Sequence, residues 1–403
     1  MSERPTTPIV AVALDGAGWH PAAWREDAAR PEALTDGAYW VDLTRRAEAG
    51  VVDLVTFEDS FGVPVDPIGD PTGSRTDRVR VRLDAELVAA RVAPATSHVG
   101  LVPVVTTIHT EPFHVSKALA TLDHTSHGRA GWQVRVSALG SDAALTGRRD
   151  VPDLTYEDYL AGRGTEYVAE QFAEAAAVVE TVRALWDSWE DDAEIRDVDT
   201  RRFIDADKVH TVDVETPWFS VRGPSITPRP PQGQPVVTAL AHAAVPYELA
   251  ARAADVVFVT PHDDATAASI LAEVRDAEAR VGRTGEPLRV VADLAVVLDA
   301  GGQSGTARLA RLDSQAAAWV TDARILAGSA ADVADVVEAW TALGYDGVRF
   351  RPAVLPDDLD ALVADVLPEL RRRGLAREAY DAPTLRGLLG LPTDVPNRFA
   401  AAV

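Results

Sequence analysis

The sequence contains no cysteine among its 403 residues. This absence excludes disulfides, thiolate nucleophiles, zinc–thiolate sites and cysteine-ligated iron–sulfur clusters. The sequence also lacks any run of about 18 apolar residues, and its first ten residues, MSERPTTPIV, lack the charged and then apolar pattern of a secretion signal. We therefore predict neither membrane insertion nor secretion, and we expect a cytoplasmic protein.

Basic residues are few compared with acidic ones. The chain has 39 Lys and Arg against 62 Asp and Glu, which gives a formal net charge of −23. Such a surplus repels phosphate backbones and anionic lipid surfaces, so neither a nucleic acid nor a membrane is an expected partner. Hydrophobic residues make up 47% and charged residues 25%, close to the globular average, which argues against a disordered or fibrous chain.

Several well-known catalytic and nucleotide-binding motifs are missing as well. The sequence has no Walker loop, no strand-linked GxGxxG, no GxSxG elbow and no HExxH. Binding of ATP or NAD through the first two devices is therefore not expected, nor is α/β-hydrolase or zincin chemistry.

Short apolar, β-branched segments alternate with amphipathic ones along the chain, as expected of βα units around a parallel sheet. Most of these segments are too short and too continuously apolar for half-solvated strands, so they predict strands that are buried on both faces. The eight predicted strands are Pro8–Leu14, Val51–Phe57, Val99–Val105, Trp132–Val136, Pro235–Ala239, Val256–Thr260, Leu288–Leu294 and Gly347–Phe350.

Eight helical patterns accompany these strands, and together they predict an α/β fold of the (β/α)₈ TIM-barrel type, with residues 1–403 as a single domain. Two segments between elements, Gly140–Glu166 and Asp187–Gln234, are long and are expected to lie beside the active face. The predicted helices are Trp40–Ala49, Asp84–Arg91, Pro112–Leu122, Tyr167–Trp189, Tyr247–Ala253, Ala265–Ala279, Val333–Leu343 and Leu359–Arg373.

In such a barrel the chemistry lies at the carboxyl ends of the strands, so polar residues that follow strands are the candidates for function. Taken alone they leave the reaction open. His20 can be catalytic or structural, Glu58 could act as the acid of a barrel glycosidase, and His262–Asp264 could bind a metal or end a solvated loop. The candidates are His20, Glu58, Asp59, Thr106, Thr107, His109, Gln133, Arg135, Ser137, His242 and His262–Asp264.

Longer strings of the sequence resemble the bacterial-luciferase-like flavin monooxygenases. The similarity is to the branch that contains the nitrilotriacetate, dibenzothiophene-sulfone and long-chain alkane monooxygenases, and it is spread over most of the chain. The strings that carry it are Phe57–Ser60, Glu111–Trp132, Leu185–Trp189, Phe219–Pro224, Pro230–Gly233, Leu367–Arg377 and Leu389–Pro392.

This resemblance implies an FMN-dependent monooxygenase of a two-component system. Reduced FMN, supplied by an NAD(P)H-dependent flavin reductase, would react with O₂ to a flavin hydroperoxide that oxygenates a small organic substrate. His20 would face the reactive edge of the flavin as the catalytic residue. Asp59 and Thr106 would line the isoalloxazine ring, and Ser137 would approach the ribityl and phosphate groups. A homo-oligomer, dimeric or tetrameric, is also implied.

The chain departs from the family pattern at several cofactor positions. Gln133 replaces the usual Asn and Phe172 the usual Tyr, and Leu240–Ala243 replaces a hydroxyl-rich segment that holds the FMN phosphate. A protonated His242 could replace those hydroxyls, as could Arg148 and Arg149.

The insertion before the last strand is also short compared with the family, with one predicted helix over Ala307–Trp319. A shorter insertion would leave the site more open to water, to a large substrate or to a partner subunit. Two alternatives therefore remain beside the monooxygenase: a non-catalytic paralogue that serves as the structural subunit of a pair, and an oxidoreductase that uses deazaflavin.

Overall fold

The computed structural model describes residues 7–64, 74–137, 139–149, 151–152, 154, 158, 161–316 and 318–400. Its strands are β1 (Ile9–Leu14), β2 (Leu54–Phe57), β3 (Gly100–Thr106), β4 (Gly131–Arg135), β5 (Glu194–Asp197), β6 (Arg202–Ile204), β7 (Val212–Glu215), β8 (Ser220–Gly223), β9 (Val236–Leu240), β10 (Val256–Val259), β11 (Arg289–Leu298), β12 (Arg324–Gly328) and β13 (Gly347–Pro352).

The α-helices alternate with the strands for most of the chain. They are α1 (Gly37–Ala49), α2 (Ala85–Val92), α3 (Pro112–Ser126), α4 (Gly140–Thr146), α5 (Thr165–Trp186), α6 (Ala244–Ala253), α7 (Asp264–Val281), α8 (Gly305–Gln315), α9 (Ala330–Leu343), α10 (Asp357–Ala361), α11 (Leu367–Arg372) and α12 (Leu385–Leu388). A π-helical turn, Leu362–Val366, joins α10 to α11, and short 3₁₀ turns occur at Ala23–Arg25, Pro31–Ala33, Ala93–Ala95 and Ala206–Lys208.

Eight parallel strands form a closed barrel, which confirms the predicted fold class. The order around the barrel is β1-β2-β3-β4-β9-β10-β11-β13, and β13 pairs with β1 to close it. Each predicted strand is present, with ends that differ by a few residues. The largest difference is at β11, which continues to Leu298 because its second half also pairs with β12.

Sequence periodicity missed the elements that lie outside the barrel wall. These are β12, helix α4 and two antiparallel hairpins, β5–β6 and β7–β8, within the long segment Asp187–Gln234. The hairpin strands are only three or four residues long, which is too short for an alternating pattern to be recognised. Val212 on β7 and Val221 on β8 are buried, whereas β5 and β6 have no buried residue. The helix predicted over Ala307–Trp319 is α8, which ends at Gln315.

Strand residues alternate between the two faces of the barrel wall. On β1, Val10 and Val12 pack outward against the helices, whereas Ile9 and Ala11 point into the barrel. Leu385 and Leu389 of the C-terminal segment join this inner cluster. The inner cluster therefore fills the amino-terminal end of the barrel, and the carboxyl end is left for polar groups.

Two strand-entry glycines make room for this filling. A Cβ atom on Gly100 would lie 2.5 Å from Leu385 Cδ1, and a Cβ on Gly131 would lie 3.0 Å from Leu385 Cδ2. Neither glycine has a positive φ, so space and not backbone conformation explains them.

In the part of the chain that the structure describes, no helix combines the length and the apolar composition that a membrane crossing requires.

Candidate active site

A charged network occupies the barrel interior above the apolar filling. The guanidinium of Arg349 on β13 donates to both carboxylate oxygens of Asp293 on β11, at 2.7 and 2.6 Å, and to Gln133 Oε1 at 2.5 Å. The guanidinium carbon of Arg349, Cζ, lies 3.8 Å from the ring centroid of Phe258. Arg349 and Asp293 are both fully buried, so each charge depends on the other for compensation.

Arg351, two residues further along β13, extends the network toward the surface. It pairs with Asp293 and, at 2.6 Å, with Asp322, and its guanidinium lies 4.7 Å from the ring centroid of Trp19. Burial alone would raise the pKa of Asp322, but the charge of Arg351 outweighs it and lowers that pKa to about 2. The pair is therefore ionised at every physiological pH.

A cleft of about 300 Å³ lies directly over this network, at the carboxyl ends of the strands. That volume is at the lower end of the range for small-molecule sites, roughly 300–1,000 Å³. Its lining combines apolar walls with charged groups of both signs. The lining includes Trp19, Glu58, Ser60, Arg82, Arg135, Leu139, Asp142, Leu240, Asp322, Arg349 and Arg351.

Glu58 has an unusual environment in this cleft. Its Oε1 is buried and has no hydrogen-bond partner. Burial raises the pKa of the Glu58 carboxyl, although the nearby charge of Arg349 opposes that rise. A carboxyl group that retains its proton offers one donor and one acceptor to a ligand, which an ionised carboxylate does not.

Three of the predicted cofactor residues reach the cleft only through partners that line it. Gln133 accepts from Arg349, the Ser137 hydroxyl donates to Asp142 Oδ2 at 2.6 Å, and the Asp59 backbone carbonyl accepts from Arg135. Their own polar groups are thus already bonded within the protein.

Asp59 and Thr106 line a neighbouring cavity of about 330 Å³, which we call the Thr106 cavity. The Asp59 carboxylate accepts from the amides of Ser60 and Ala85, at 2.7 and 2.9 Å, so it holds the start of α2 against the end of β2. Ser60 and Arg82 border both this cavity and the cleft.

His20 lines a third, smaller cavity of about 120 Å³ that adjoins the cleft at Trp19 and Arg82. Its Nδ1 accepts from the Ala22 amide at 3.0 Å, and its Nε2 lies 3.1 Å from Asp313 Oδ1 on α8. These partners fix the tautomer with the proton on Nε2. Burial lowers the pKa of His20 and outweighs the opposite effect of Asp313, so the ring is neutral at pH 7.

His242 is exposed and does not line the cleft, but it follows Leu240 by two residues and lies within electrostatic reach of Asp322, both of which line it. Helix α6 begins directly after it, and no side chain caps this helix N-terminus. By contrast, Arg149 is bound through two 2.6 Å hydrogen bonds to Glu174, and Arg148 is paired with Glu111. Both arginines line a separate cavity, so His242 is better placed than they are for a phosphate at the cleft.

Comparison with known proteins agrees with this architecture. A family model described as luciferase-like monooxygenase matches residues 19–320. The chain belongs to the luciferase-like monooxygenase family.

Individual members of the family align with nearly the whole chain. N-acetyl-S-(2-succino)cysteine monooxygenase of Bacillus subtilis (strain 168) is 28% identical over 452 aligned positions, covering 96% of this chain and 97% of that protein. Dibenzothiophene-sulfone monooxygenase of Rhodococcus erythropolis is 28% identical over 440 positions, with coverage of 92% and 93%. Nitrilotriacetate and long-chain alkane monooxygenases match as well, so the branch indicated by the sequence is confirmed.

The solved structures support the same fold. The crystal structure of a long-chain alkane monooxygenase superposes with a TM-score of 0.82 at 22% identity, covering 95% of each chain. Two F420-dependent enzymes, a tetrahydromethanopterin reductase and a secondary alcohol dehydrogenase, superpose less well, with TM-scores of 0.58 and 0.60 at 12 and 13% identity.

The sequence analysis did not single out the charged residues of β11 and β13 that lie beneath the cleft. Arg349 lies in the predicted eighth strand, Gly347–Phe350, and Arg351 directly follows its predicted end, while Asp293 interrupts an apolar run in the predicted seventh strand. A period of two places both arginines on one face of β13, so the inward direction could have been read from the sequence.

The sixth-strand residues His262–Asp264 do not form a metal site. Asp263 is the N-cap of α7, where its carboxylate accepts from the Thr266 amide at 2.7 Å in a capping box. Among the described residues there is no group of three or more His, Asp or Glu side chains arranged to hold a metal ion.

Proposed function

We propose that this protein is the oxygenase of a two-component, FMN-dependent monooxygenase system. It takes reduced FMN from a separate NAD(P)H-dependent flavin reductase and inserts one oxygen atom of O₂ into a small organic substrate. The observation that carries the proposal is the cleft at the carboxyl end of the barrel, in a chain whose family match covers residues 19–320.

The residues of the cleft fit a flavin. The buried Glu58 Oε1 has no hydrogen-bond partner in the protein, and the N–H group at the ring edge of a flavin would supply one. Trp19 and Leu240 supply apolar wall for the ring. His242 and the uncapped start of α6 offer an imidazole N–H and backbone amides to the phosphate.

When bound, reduced FMN supplies the two electrons with which O₂ yields one oxygen atom for the substrate and one molecule of water. The chain's own residues bind the cofactor, orient it and exclude water. Asp59 and Thr106 would contact the flavin ring, and Ser137 would contact the ribityl group. Gln133 would act indirectly, by holding Arg349 in place. His20, oriented by Asp313, is proposed to meet the substrate as the catalytic residue.

Anaerobic titration of the protein with reduced FMN, followed by flavin fluorescence, tests the binding step. We expect a dissociation constant in the micromolar range for reduced FMN, and weaker binding of both riboflavin and a 5-deazaflavin. The Glu58→Leu variant should bind reduced FMN at least tenfold more weakly, because leucine cannot form the hydrogen bond that the carboxyl group makes. Glu32→Leu, at an exposed position distant from the cleft lining, is the matched control.

The alternatives give different results in the same titration. Binding of neither flavin would favour a non-catalytic subunit, and preference for the 5-deazaflavin would favour hydride transfer. If reduced FMN binds, NADH oxidation coupled to a flavin reductase consumes O₂ with or without substrate, but the product should differ. Without substrate the O₂ should appear as hydrogen peroxide, and with substrate it should appear as oxygenated product and water.

A further inference from the structure

A further cavity, distinct from the cleft, the Thr106 cavity and the cavity at His20, lies between the loop after β3, helix α5 and the turn that joins β7 to β8. Its volume is about 310 Å³. We call it the His109 cavity, and nothing in the proposed oxygenase reaction uses it. Its lining residues are His109, Thr110, Glu111, Arg148, Arg149, Glu174, Pro217, Trp218 and Phe219.

His109 is the central feature of this cavity. The residue is only 5% exposed, and neither ring nitrogen makes a hydrogen bond of acceptable geometry, although the backbone of Ser137 lies close to the ring. Its φ of 75° places it in the left-handed region, which few residues other than glycine adopt. A buried imidazole with two unmade hydrogen bonds is costly, and a bound ligand would remove part of that cost.

Helix α5 adds two more buried polar atoms without partners. Tyr167 and Gln171 share a helix face with Glu174, and neither the Tyr167 hydroxyl nor the Gln171 Oε1 has a hydrogen-bond partner. Arg149, which pairs with Glu174, lies within electrostatic reach of Tyr167. Neither Tyr167 nor Gln171 lines the cavity itself, so His109 is the lining residue whose polar atoms lack partners.

The charges around the cavity are already matched. Arg149 is bound to Glu174 through two hydrogen bonds, and Arg148 is paired with Glu111. Burial, followed by the charge of Arg149, lowers the pKa of His109, so the ring is neutral and can present either a donor or an acceptor. An ionic ligand would lose its hydration without gaining a free counter-charge, which favours a neutral one.

Aromatic surface forms the remaining wall. Trp218 and Phe219 line the cavity, and Trp218 is fixed by a 3.0 Å hydrogen bond from its indole nitrogen to Glu170. Such a wall favours a flat ring over an aliphatic group of equal size.

We propose that the His109 cavity is a second ligand site, which binds a neutral planar aromatic molecule that carries a hydrogen-bonding group. The ring packs on Trp218 and Phe219, and the polar group bonds to His109. This site is separate from the flavin cleft and does not depend on the proposed oxygenase activity.

Ligand-observed NMR with three small probes tests the proposal on the intact chain. Benzamide has the expected shape and is neutral, benzoate has the same shape with a negative charge, and cyclohexanecarboxamide keeps the amide but lacks the ring. We expect benzamide to bind saturably, with a dissociation constant on the order of 1 mM for so small a probe. The other two probes should bind at least fivefold more weakly.

Variants locate the probe. His109→Asn suits the left-handed backbone but withdraws the ring, and Trp218→Leu removes the aromatic wall; each should weaken benzamide binding at least fivefold. His127→Asn is the matched control, because His127 is exposed and has a similar φ of 59°. Saturating FMN should leave benzamide binding unchanged.

Three results would overturn the site: no benzamide binding, equal binding by the His109→Asn and His127→Asn variants, or displacement of benzamide by FMN. Tighter binding of benzoate than of benzamide would show that the arginine charges are free, and would contradict the neutral-ligand assignment. Circular dichroism of each variant confirms that it is folded.

Discussion

Glu86, which lines the Thr106 cavity, should make the folding stability of this protein depend on pH. The Glu86 Oε1 is buried without a hydrogen-bond partner in that cavity, near Asp84 and Asp59. Burial, together with the charges of Asp84 and Asp59, raises the pKa of Glu86 from 4.5 to about 7. The folded state therefore holds a proton that the unfolded chain releases, and folding stability falls as the pH rises from about 4.5 to 7.

The magnitude follows from the two pKa values. One pKa unit corresponds to about 1.4 kcal/mol, so a change from 4.5 to about 7 amounts to at most about 3.5 kcal/mol. Glu86 is partly exposed, and solvent screening lowers that figure, so we expect about 1–3 kcal/mol. With an unfolding entropy of roughly 2 cal/mol/K per residue, this corresponds to about 1–4 °C in melting temperature.

The Glu86→Gln variant removes the titrating group and keeps the side-chain shape. Its melting temperature should exceed that of the parent protein by about 1–4 °C at pH 8, and the difference should disappear near pH 4.5. Differential scanning fluorimetry over pH 4.5–8.5 measures both. Glu32→Gln, an exposed glutamate, is the control and should show no such trend. A Glu86→Gln difference that is constant across this pH range would refute the reasoning.

Further predictions concern the site residues. His20→Ala should abolish substrate oxygenation while reduced-FMN affinity stays within about threefold, because His20 is outside the main cleft; a large loss of flavin affinity in the fluorescence titration would show that its role is cofactor binding. Asp293→Asn leaves the buried Arg349 guanidinium without a carboxylate and Arg351 with Asp322 alone, and should lower the free energy of unfolding by about 3–5 kcal/mol in a urea titration; a loss below about 1 kcal/mol would mean that water relaxes the network. His242→Ala should weaken FMN at least fivefold but leave riboflavin unchanged, while the double change of Arg148 and Arg149 to Ala should alter neither affinity; the reverse result would return the phosphate to those arginines.

The barrel could be predicted from the sequence because each wall strand is a short apolar run with a helix behind it. Burial on both faces gives such strands a signal that needs no knowledge of their neighbours. The hairpins β5–β6 and β7–β8 lack that signal, because their strands are three or four residues long and none is buried on both faces. Strand β12 was missed for a different reason: only its pairing with the second half of β11 defines it.

The candidate site was predicted less completely than the fold. Strand ends indicated where Asp59, Gln133 and Ser137 would lie, but sequence position does not show which groups a side chain bonds to. In the structure these three residues form hydrogen bonds with other protein groups. The residues that line the cleft instead include Glu58, Arg349 and Arg351. The importance of Arg349 and Arg351 comes from the pairing of β11 with β13, which brings Asp293 beside them and which no local pattern contains.

The leucines that close the amino-terminal end of the barrel also constrain how this protein can assemble. Leu385 and Leu389 pack inside the barrel, which closes only when β1 pairs with β13, a strand more than 300 residues later in the chain. The earlier strands therefore expose their inward apolar side chains until the final sixty or so residues emerge and dock. Apolar surface that stays uncovered until the end of synthesis favours aggregation, and docking of the C-terminal segment is what completes the barrel core.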